Sequence, residues 1–234
     1  MIIFKNVSVK YGNHTVLKDV NLRIDEGEFV FIVGKSGAGK TTLFKLLTRE
    51  ITQTSGVIKV FNENLSYLRN REIPYYRRKL GIIFQDFKLL NDRNVYQNIA
   101  FAQEVIGASA FNIKKRVMKI LNLVGIRQKA NKMPNELSGG EKQKVAIARA
   151  IINKPKLVLA DEPTGNLDEI STNEIMDLLE TINQNGTTVV CITHDVHLVD
   201  RMDKRVIRID EGNLIYDDYG LDDELKEYLE DENS

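Results

Sequence analysis

The chain has 234 residues, with 33 lysines and arginines balanced by 33 aspartates and glutamates, so its formal net charge is zero. This balance argues against a nucleic-acid partner, and 42% hydrophobic with 28% charged residues is typical of an ordinary soluble protein. The length suits one α/β domain with room for an inserted subdomain. Cys191 is the only cysteine, which excludes a disulfide framework and indicates a reducing compartment. Because the sequence has no signal-peptide pattern and no apolar stretch that would span a bilayer, we expect a cytoplasmic protein.

The N-terminal stretch, residues 1–27, alternates apolar and polar side chains and predicts two antiparallel strands. Gly12 and Asn13 supply the turn between them. Tyr11 ends the first strand, where its ring either packs in the core or stacks on an adenine ring. On the residues alone, core packing is the more ordinary role.

The next segment predicts a binding loop for phosphate groups. An apolar run over 28–33 precedes a glycine-rich turn, and leucines at helical spacing follow it. A buried strand, such a turn and a helix that opens on Lys-Thr form the phosphate loop of nucleoside triphosphatases, although an ordinary glycine-rich turn is the alternative. We expect Lys40 to reach the β- and γ-phosphates and the Thr41 hydroxyl to hold Mg²⁺. The predicted phosphate-binding residues are Gly34, Lys35, Ser36, Gly37, Ala38, Gly39, Lys40, Thr41 and Thr42.

The remaining apolar patterns predict an alternation of strands and helices. The predicted strands cover 56–61, 80–84, 157–160 and 187–193, with a closing hairpin over 205–209 and 214–216. Residues 93–152 have mostly helical patterns. From Asp217 onward the chain is acidic, and its leucines repeat every four residues, which predicts either a short amphipathic helix or a frayed tail.

A helix is predicted to begin after Ser138, which is a suitable N-cap with Glu141 at the capping-box position. Gly139 and Gly140 weaken a helix start by about 1 kcal/mol each relative to alanine. Their bare N–H groups would suit a second anion site, which would explain the glycines. A capped turn without a ligand is the alternative.

Two adjacent carboxylates, Asp161 and Glu162, follow the apolar strand at 157–160. Ligands gather at the carboxyl edge of an open α/β sheet, and buried carboxylates there need a cation. We expect Asp161 to hold Mg²⁺ through water and Glu162 to be the general base for the attacking water. His194 follows the next buried strand, so we expect it to contact the γ-phosphate and that water.

Six motifs stand in the order and spacing of the ATP-binding cassette (ABC) ATPases, and the resemblance covers about residues 1–216. The motifs are the phosphate loop, Gln85, 137–141, 157–162, 166–168 and His194. The resemblance implies a P-loop NTPase fold, in which an α/β, RecA-like core carries an N-terminal antiparallel β subdomain and an inserted helical subdomain at about 86–152. Residues 217–234 would then be a separate acidic tail.

The same resemblance implies specific roles. Tyr11 resembles the residue that stacks on adenine, and Gln85 resembles the one that touches Mg²⁺ and reports nucleotide state to the helical subdomain. Residues 138–141 resemble the signature that binds the γ-phosphate held by a second copy of the chain. Two chains would therefore pack head to tail around ATP, with Asp168 at the dimer seam.

Finer motifs indicate a branch of the family. Residues 161–168 resemble the branch of lipoprotein-release, macrolide-export and cell-division ATPases, and several motifs between 71 and 96 are most similar to the cell-division members. This implies an ATPase on the inner face of the plasma membrane whose integral membrane partner activates cell-wall hydrolases outside. Many ABC ATPases carry Gln at the position of Glu141, whereas the cell-division branch resembles this chain there.

Three alternatives are weighed against this interpretation. A lipoprotein-release or macrolide-export ATPase fits the fold but fits the 71–96 motifs less well. A soluble DNA-repair or translation cassette usually has two cassettes or a long coiled coil, and this chain has neither. A nucleotide-gated scaffold without hydrolysis conflicts with the presence of Glu162 and His194. Phe87, Leu89 and Leu90 are predicted to line a groove for a helix of the partner, with packing in the helical lobe as the alternative.

Overall fold

The computed structural model describes residues 1–219. The strands are β1 (Ile2–Tyr11), β2 (His14–Ile24), β3 (Phe29–Val33), β4 (Ser55–Val60), β5 (Glu63–Asn64), β6 (Leu80–Ile83), β7 (Leu157–Asp161), β8 (Thr188–Ile192), β9 (Arg205–Asp210) and β10 (Asn213–Tyr219). The helices are α1 (Lys40–Leu47), α2 (Ile73–Arg77), α3 (Val95–Glu104), α4 (Ala110–Leu123), α5 (Gly139–Ile151), α6 (Glu169–Gln184) and α7 (Val196–Met202). The chain divides into two compact units. The first comprises Met1–Arg77 and the segment from Thr188 onward, and the second comprises Arg78–Thr187.

The first unit contains an antiparallel sheet in the order β2-β1-β4-β5. Ile2 of β1 lies opposite Ile24 of β2 on one side and Val60 of β4 on the other, and all three side chains are buried. The alternation of apolar and polar residues therefore produces a half-buried sheet. This confirms the two strands predicted over 1–27 and the turn at Gly12 and Asn13.

The first unit also contains parallel strands, in which β3 pairs with β8 on one side and β9 on the other. Phe31 at the centre of β3 lies opposite Cys191 and Val206, and all five residues of β3 are buried. A strand covered on both faces has a continuous apolar sequence, as observed at 28–33. Cys191 is buried within β8.

The hairpin of β9 and β10 is fixed by Arg205. Its guanidinium forms ion pairs with Glu28 at 3.0 Å and with Asp217 at 2.7 Å. The hydrogen bond to Asp217 is the main reason why the pKa of Arg205 is raised. Strand β10 continues to Tyr219, three residues beyond the predicted end, so the first residues of the predicted tail belong to the sheet. The rest of that tail, 220–234, lies outside the described residues.

The second unit pairs β6 with β7 in parallel, and the helices α3, α4 and α5 lie between these strands in sequence. Helix α4 buries Ile113, Val117 and Leu121 on one face, as the spacing predicts. The helical content predicted for 93–152 is confirmed, whereas the limits of an inserted subdomain stay a prediction. None of the helices within residues 1–219 has both the length and the apolar character that crossing a bilayer requires.

Candidate functional site

The phosphate loop connects β3 to α1, and its sharp turns depend on glycine. Gly34 has a φ of 147°, and a Cβ atom there would collide with the carbonyl oxygen of Ile209. Gly39 has a φ of 112°, and a Cβ atom there would lie 2.7 Å from the side chain of Leu17. Larger residues are therefore excluded at both positions by backbone conformation and by space.

The loop closes on its own backbone before the helix begins. The N–H of Ala38 donates to the carbonyl of Lys35 at 3.0 Å. The Lys40 ammonium donates to the carbonyls of Gly34 and Lys35, which holds this cation against the loop. The threonines differ, because Thr41 is exposed whereas Thr42 is buried. An exposed hydroxyl at the N-terminus of a helix is accessible to a phosphate-bound cation.

Two further predicted residues belong to the first unit. The Tyr11 side chain is 51% exposed at the end of β1, so it does not pack in the core. His194 is exposed and lies two residues after the end of β8. Asp195 caps the next helix by accepting a hydrogen bond from the Leu198 N–H at 3.0 Å. The contacts of Tyr11 with adenine and of His194 with phosphate stay predictions.

In the second unit, the predicted capping box at the start of α5 is confirmed. The N–H of Glu141 donates to the Ser138 hydroxyl at 3.2 Å, and the N–H of Ser138 donates to the Glu141 carboxylate at 3.0 Å. That backbone hydrogen bond is the main reason why the pKa of Glu141 is lowered, and an ion pair with Lys129 adds to the effect. The helix tip is therefore held rigidly by its own side chains.

The signature glycines also have a packing reason. A Cβ atom on Gly140 would lie 2.7 Å from the Ser171 hydroxyl oxygen, and one on Gly139 would lie 3.2 Å from the Leu167 side chain. The helix tip thus packs closely on Leu167, just before α6, and on Ser171 in its first turn. Neither observation tests the predicted anion site, which stays a prediction.

The two predicted carboxylates lie at the end of β7, where both side chains are half-buried. Asp161 is the last residue of the strand, and Glu162 has a φ of 48°. A left-handed conformation at a residue other than glycine costs about 1–3 kcal/mol and is most frequent at functional sites. The N–H of Gly165 donates to the Glu162 carbonyl at 3.2 Å and closes the following turn.

Asp168 has a local role at the start of α6. Its carboxylate accepts hydrogen bonds from the N–H of Ser171 at 2.8 Å and from the Ser171 hydroxyl at 3.1 Å. The backbone hydrogen bond is the main reason why the pKa of Asp168 is lowered. Asp168 is therefore the N-cap of this helix. Its position at a dimer seam stays a prediction.

The sequence did not predict that the loop after β6 contacts the loop after β7. The Asn166 amide donates to the carbonyl of Gln85 at 3.2 Å. A Cβ atom on Gly165 would lie 2.8 Å from the Gln85 side-chain nitrogen, so only glycine leaves room for this amide. Gln85, which we expect to touch Mg²⁺, is therefore positioned by the turn that follows Glu162.

Helix α5 supplies two further residues that the sequence analysis missed. Gln143 is buried and donates from its amide to the Pro163 carbonyl at 2.7 Å. The Arg149 guanidinium donates to the carbonyls of Phe87 and Lys88. Gln143 had a signal, because it is a polar residue on the apolar face of a helix. The sequence contained no signal for the contacts of Arg149, because an arginine on a helix is usually a solvated side chain.

The predicted residues fall into two sets. Tyr11, the phosphate loop and His194 belong to the first unit, and the remaining predicted site residues belong to the second. Within residues 1–219, no group of three or more His, Cys, Asp and Glu side chains could hold a metal ion. The Mg²⁺ ligands that we expect are instead the hydroxyl, amide and carboxylate oxygens of Thr41, Gln85 and Asp161, which are donor types that Mg²⁺ accepts.

A profile described as ABC transporter matches residues 17–165. The chain belongs to the ABC transporter family. Among the similar ABC proteins, the cell division ATP-binding proteins FtsE of Mycobacterium tuberculosis and Bacillus subtilis are each 48% identical to this chain. These alignments cover 95% and 93% of this chain and 99% and 96% of the relatives. FtsE of Escherichia coli is 44% identical over 92% of this chain and 97% of its own.

Solved ABC cassettes have the same fold. A dimeric post-hydrolysis state of the cassette MJ0796 bound to ADP and Pi is 35% identical, with a TM-score of 0.84, and the match covers 95% of this chain and 100% of that one. The cassette cbiO1 of Clostridium perfringens is 31% identical, with a TM-score of 0.86, over 99% and 91% of the two chains. The predicted fold class is confirmed, and the chain is an enzyme that binds ATP and hydrolyses it to ADP and phosphate.

The contact between Gly165 and Gln85 leads to a prediction about hydrolysis. Because the backbone of Gly165 is outside the left-handed region, G165A has no backbone strain and displaces only the Gln85 amide. We expect kcat for ATP to fall about three- to tenfold, with KM nearly unchanged, because the misplaced amide affects positioning and not nucleotide capture. Steady-state phosphate release would measure both constants.

The control is a double-mutant cycle with Q85A. If G165A acts through Gln85, it should lower kcat little further in the Q85A background. A full additional loss in that background would contradict the assignment.

Proposed function

We propose that this ATPase acts in bacterial cell division as the partner of the membrane protein FtsX. ATP-driven closure of a homodimer would move FtsX, which in turn would activate peptidoglycan hydrolases outside the cell. The observation that carries this proposal is the 44–48% identity, over at least nine tenths of the chain, to proteins named FtsE in several bacteria. The chain would lie on the inner face of the plasma membrane through FtsX.

In this proposal the first unit captures the nucleotide. Tyr11 stacks on adenine, the N–H groups of the phosphate loop surround the phosphates, and Lys40 neutralises the β- and γ-phosphates. The exposed hydroxyl of Thr41 and the side chains of Gln85 and Asp161 would hold Mg²⁺, Asp161 through a water. The exposed ring of Tyr11 and the contact of Lys40 with the loop support these roles.

The hydrolytic step needs a water activated against the γ-phosphate. Glu162 accepts a proton from this water, Gln85 helps to orient it, and His194 donates a hydrogen bond to the phosphate as charge develops. Mg²⁺ held by Thr41, Gln85 and Asp161 would supply positive charge that neutralises the phosphate oxygens. The left-handed backbone of Glu162 and the packing of Gly165 against Gln85 support a site that is positioned before substrate binds.

The signature residues Ser138, Gly139, Gly140 and Glu141 would bind the γ-phosphate held by a second copy of the chain. A capped, glycine-rich helix tip presents N–H groups and a partial positive charge to an anion. ATP would then close the dimer because it supplies negative charge to both faces, and loss of phosphate would open it. The similarity to the dimeric cassette MJ0796 supports a homodimer.

The loop that follows Gln85 offers a surface for FtsX. A groove of about 380 Å³ is lined by Asp86, Phe87, Lys88, Leu89, Asn91, Pro134, Asn135 and Lys142. Phe87 and Leu89 are half-buried in it, which suits the apolar face of an amphipathic helix. The predicted Leu90 is also half-buried but does not line this groove.

Co-purification from solubilised membranes with ATP present tests the proposal. We expect FtsX to be recovered with the wild-type chain and to be reduced about tenfold or more by F87D or L89D, because a charge in an apolar anchor position is unfavourable. F111D is the matched control, since Phe111 is 79% exposed at the start of α4, in the same unit.

Each outcome has a clear meaning. Undiminished recovery of FtsX by folded F87D and L89D proteins would contradict the groove. Recovery of a lipoprotein-release or macrolide-export membrane protein in place of FtsX would replace the division function with that alternative.

A further inference from the structure

The loop that follows Gln85 has an unusual backbone. Phe87 and Lys88 are consecutive residues with φ values of 60° and 48°. Neither is glycine, so this left-handed pair persists only if other contacts hold it. The N–H of Phe87 donates to the Phe84 carbonyl at 3.2 Å and the N–H of Lys88 to the Asp86 carbonyl at 2.6 Å, which makes a tight turn that does not use the carbonyls of Phe87 and Lys88.

Those two carbonyls are held by one side chain. The Arg149 guanidinium donates to the Phe87 carbonyl at 2.9 Å and to the Lys88 carbonyl at 2.7 Å. The two donors come from the two terminal nitrogens, so the planar fork fixes the directions of two successive peptide groups. An ammonium group could not reproduce this geometry.

The environment of Arg149 indicates that the clamp is its main contact. Within residues 1–219, no carboxylate lies within ion-pair distance of this guanidinium. Burial lowers the pKa of Arg149, although an arginine stays charged at any physiological pH. A half-buried cation whose contacts are two carbonyls is well suited to orienting backbone.

The far end of the loop is fixed as well. Asn98 is fully buried, accepts a hydrogen bond from the Leu90 N–H at 2.8 Å and donates back to the Leu90 carbonyl at 3.0 Å. Its amide also reaches the Arg93 carbonyl at 2.9 Å. Phe87, Lys88 and Leu89 lie at or next to these anchors and line the proposed FtsX groove, so the shape of the groove depends on both anchors.

Helix α5 connects this clamp to the other functional elements of the second unit. The helix begins at the signature tip after Ser138, and Gln143 bonds the carbonyl of Pro163 beside Glu162. Arg149 lies in its last turn and bonds the loop beside Gln85. We therefore expect a displacement of one of these elements to reach the others through this helix.

We propose that Arg149 is a positioning residue for ATP hydrolysis, which fixes the loop after Gln85 to the helix that carries the signature. It acts on the reaction through Gln85 and on the partner through the groove at Phe87 and Lys88. The inference deepens the proposed function and rests on it for the role of the groove. Nucleotide capture by the first unit does not require the clamp.

The test compares R149M, R149K and the control K144M in the full chain. Lys144 is on the same helix and pairs with Glu174 at 2.7 Å, so K144M also removes a cation and a polar contact. We expect R149M to lower kcat about ten- to a hundredfold, while affinity for a fluorescent ATP analogue changes less than about twofold. R149K should recover part of kcat, and K144M should stay near wild type.

Thermal unfolding of each variant separates positioning from folding. If R149M does not fold, R149K carries the test, with an expected loss in kcat of about threefold or more. A folded R149M protein with the kcat of K144M would overturn the inference, as would equal losses in nucleotide affinity and in kcat. The kcat of the chain alone tests the clamp even if FtsX is not recovered with the wild-type protein, an outcome that would instead contradict the proposed function.

Discussion

Replacing Glu162 by glutamine is expected to reduce ATP turnover by about a hundredfold or more and to trap an ATP-bound dimer. Glutamine has nearly the size of glutamate but cannot accept the proton of the attacking water. A glutamine residue can adopt the same left-handed backbone conformation as Glu162, so the turn after β7 should keep its shape. The variant would therefore bind ATP, close with a second copy and fail to open.

Size-exclusion chromatography measures this trapping directly. E162Q should elute as a dimer with ATP and Mg²⁺ and as a monomer with ADP, while the wild-type chain should dimerise only transiently. E169Q is the matched control, because it makes the same chemical change at a glutamate that is exposed in the first turn of α6. Unchanged phosphate release by a folded E162Q protein would show that another group is the base.

The parts of the fold that depend on local sequence were predictable. The continuous apolar run at 28–33 became the fully buried β3, since a strand covered on both faces has that pattern. Ser138 and Glu141 formed the capping box because both partners are within three residues of each other. In each case the residues that determine the structure lie within a few positions of one another in the sequence.

What the sequence did not predict involves residues that are distant in the chain. The Arg149 clamp on Phe87 and the Gln143 bond to Pro163 join residues that are 62 and 20 positions apart. The contact of Gly165 with Gln85 likewise depends on how two loops meet. Periodicity and spacing carry no signal for such tertiary contacts.

The limits of the closing hairpin show the same effect. The predicted strand ended at 216 because acidic residues begin at Asp217 and reduce the tendency to form a strand. In the structure, Arg205 neutralises Asp217 and the strand continues to Tyr219. A cross-strand ion pair thus overrides the local preference.

A mixture of two inactive variants should recover activity if the signature acts in trans. K40A removes the cation of the phosphate loop, and S138R blocks the signature tip, so each homodimer lacks both sites. In a mixed dimer, the intact loop of one chain faces the intact signature of the other. If pairing is random, half of the dimers are mixed and each has one complete site, so the mixture should reach about one quarter of the wild-type rate.

The assay is phosphate release from equimolar mixtures, compared with each variant alone at the same total concentration. S138R loses an N-cap worth about 1 kcal/mol, so thermal unfolding must show that both variants fold. The negative control is a double variant that carries K40A and S138R on one chain, mixed with an equal amount of E162Q. Its mixed dimers contain no site that is both complete and active, because the double variant lacks a working loop and a working signature. If each chain built its site alone, mixing K40A with S138R would recover nothing, and the head-to-tail dimer would have to be abandoned.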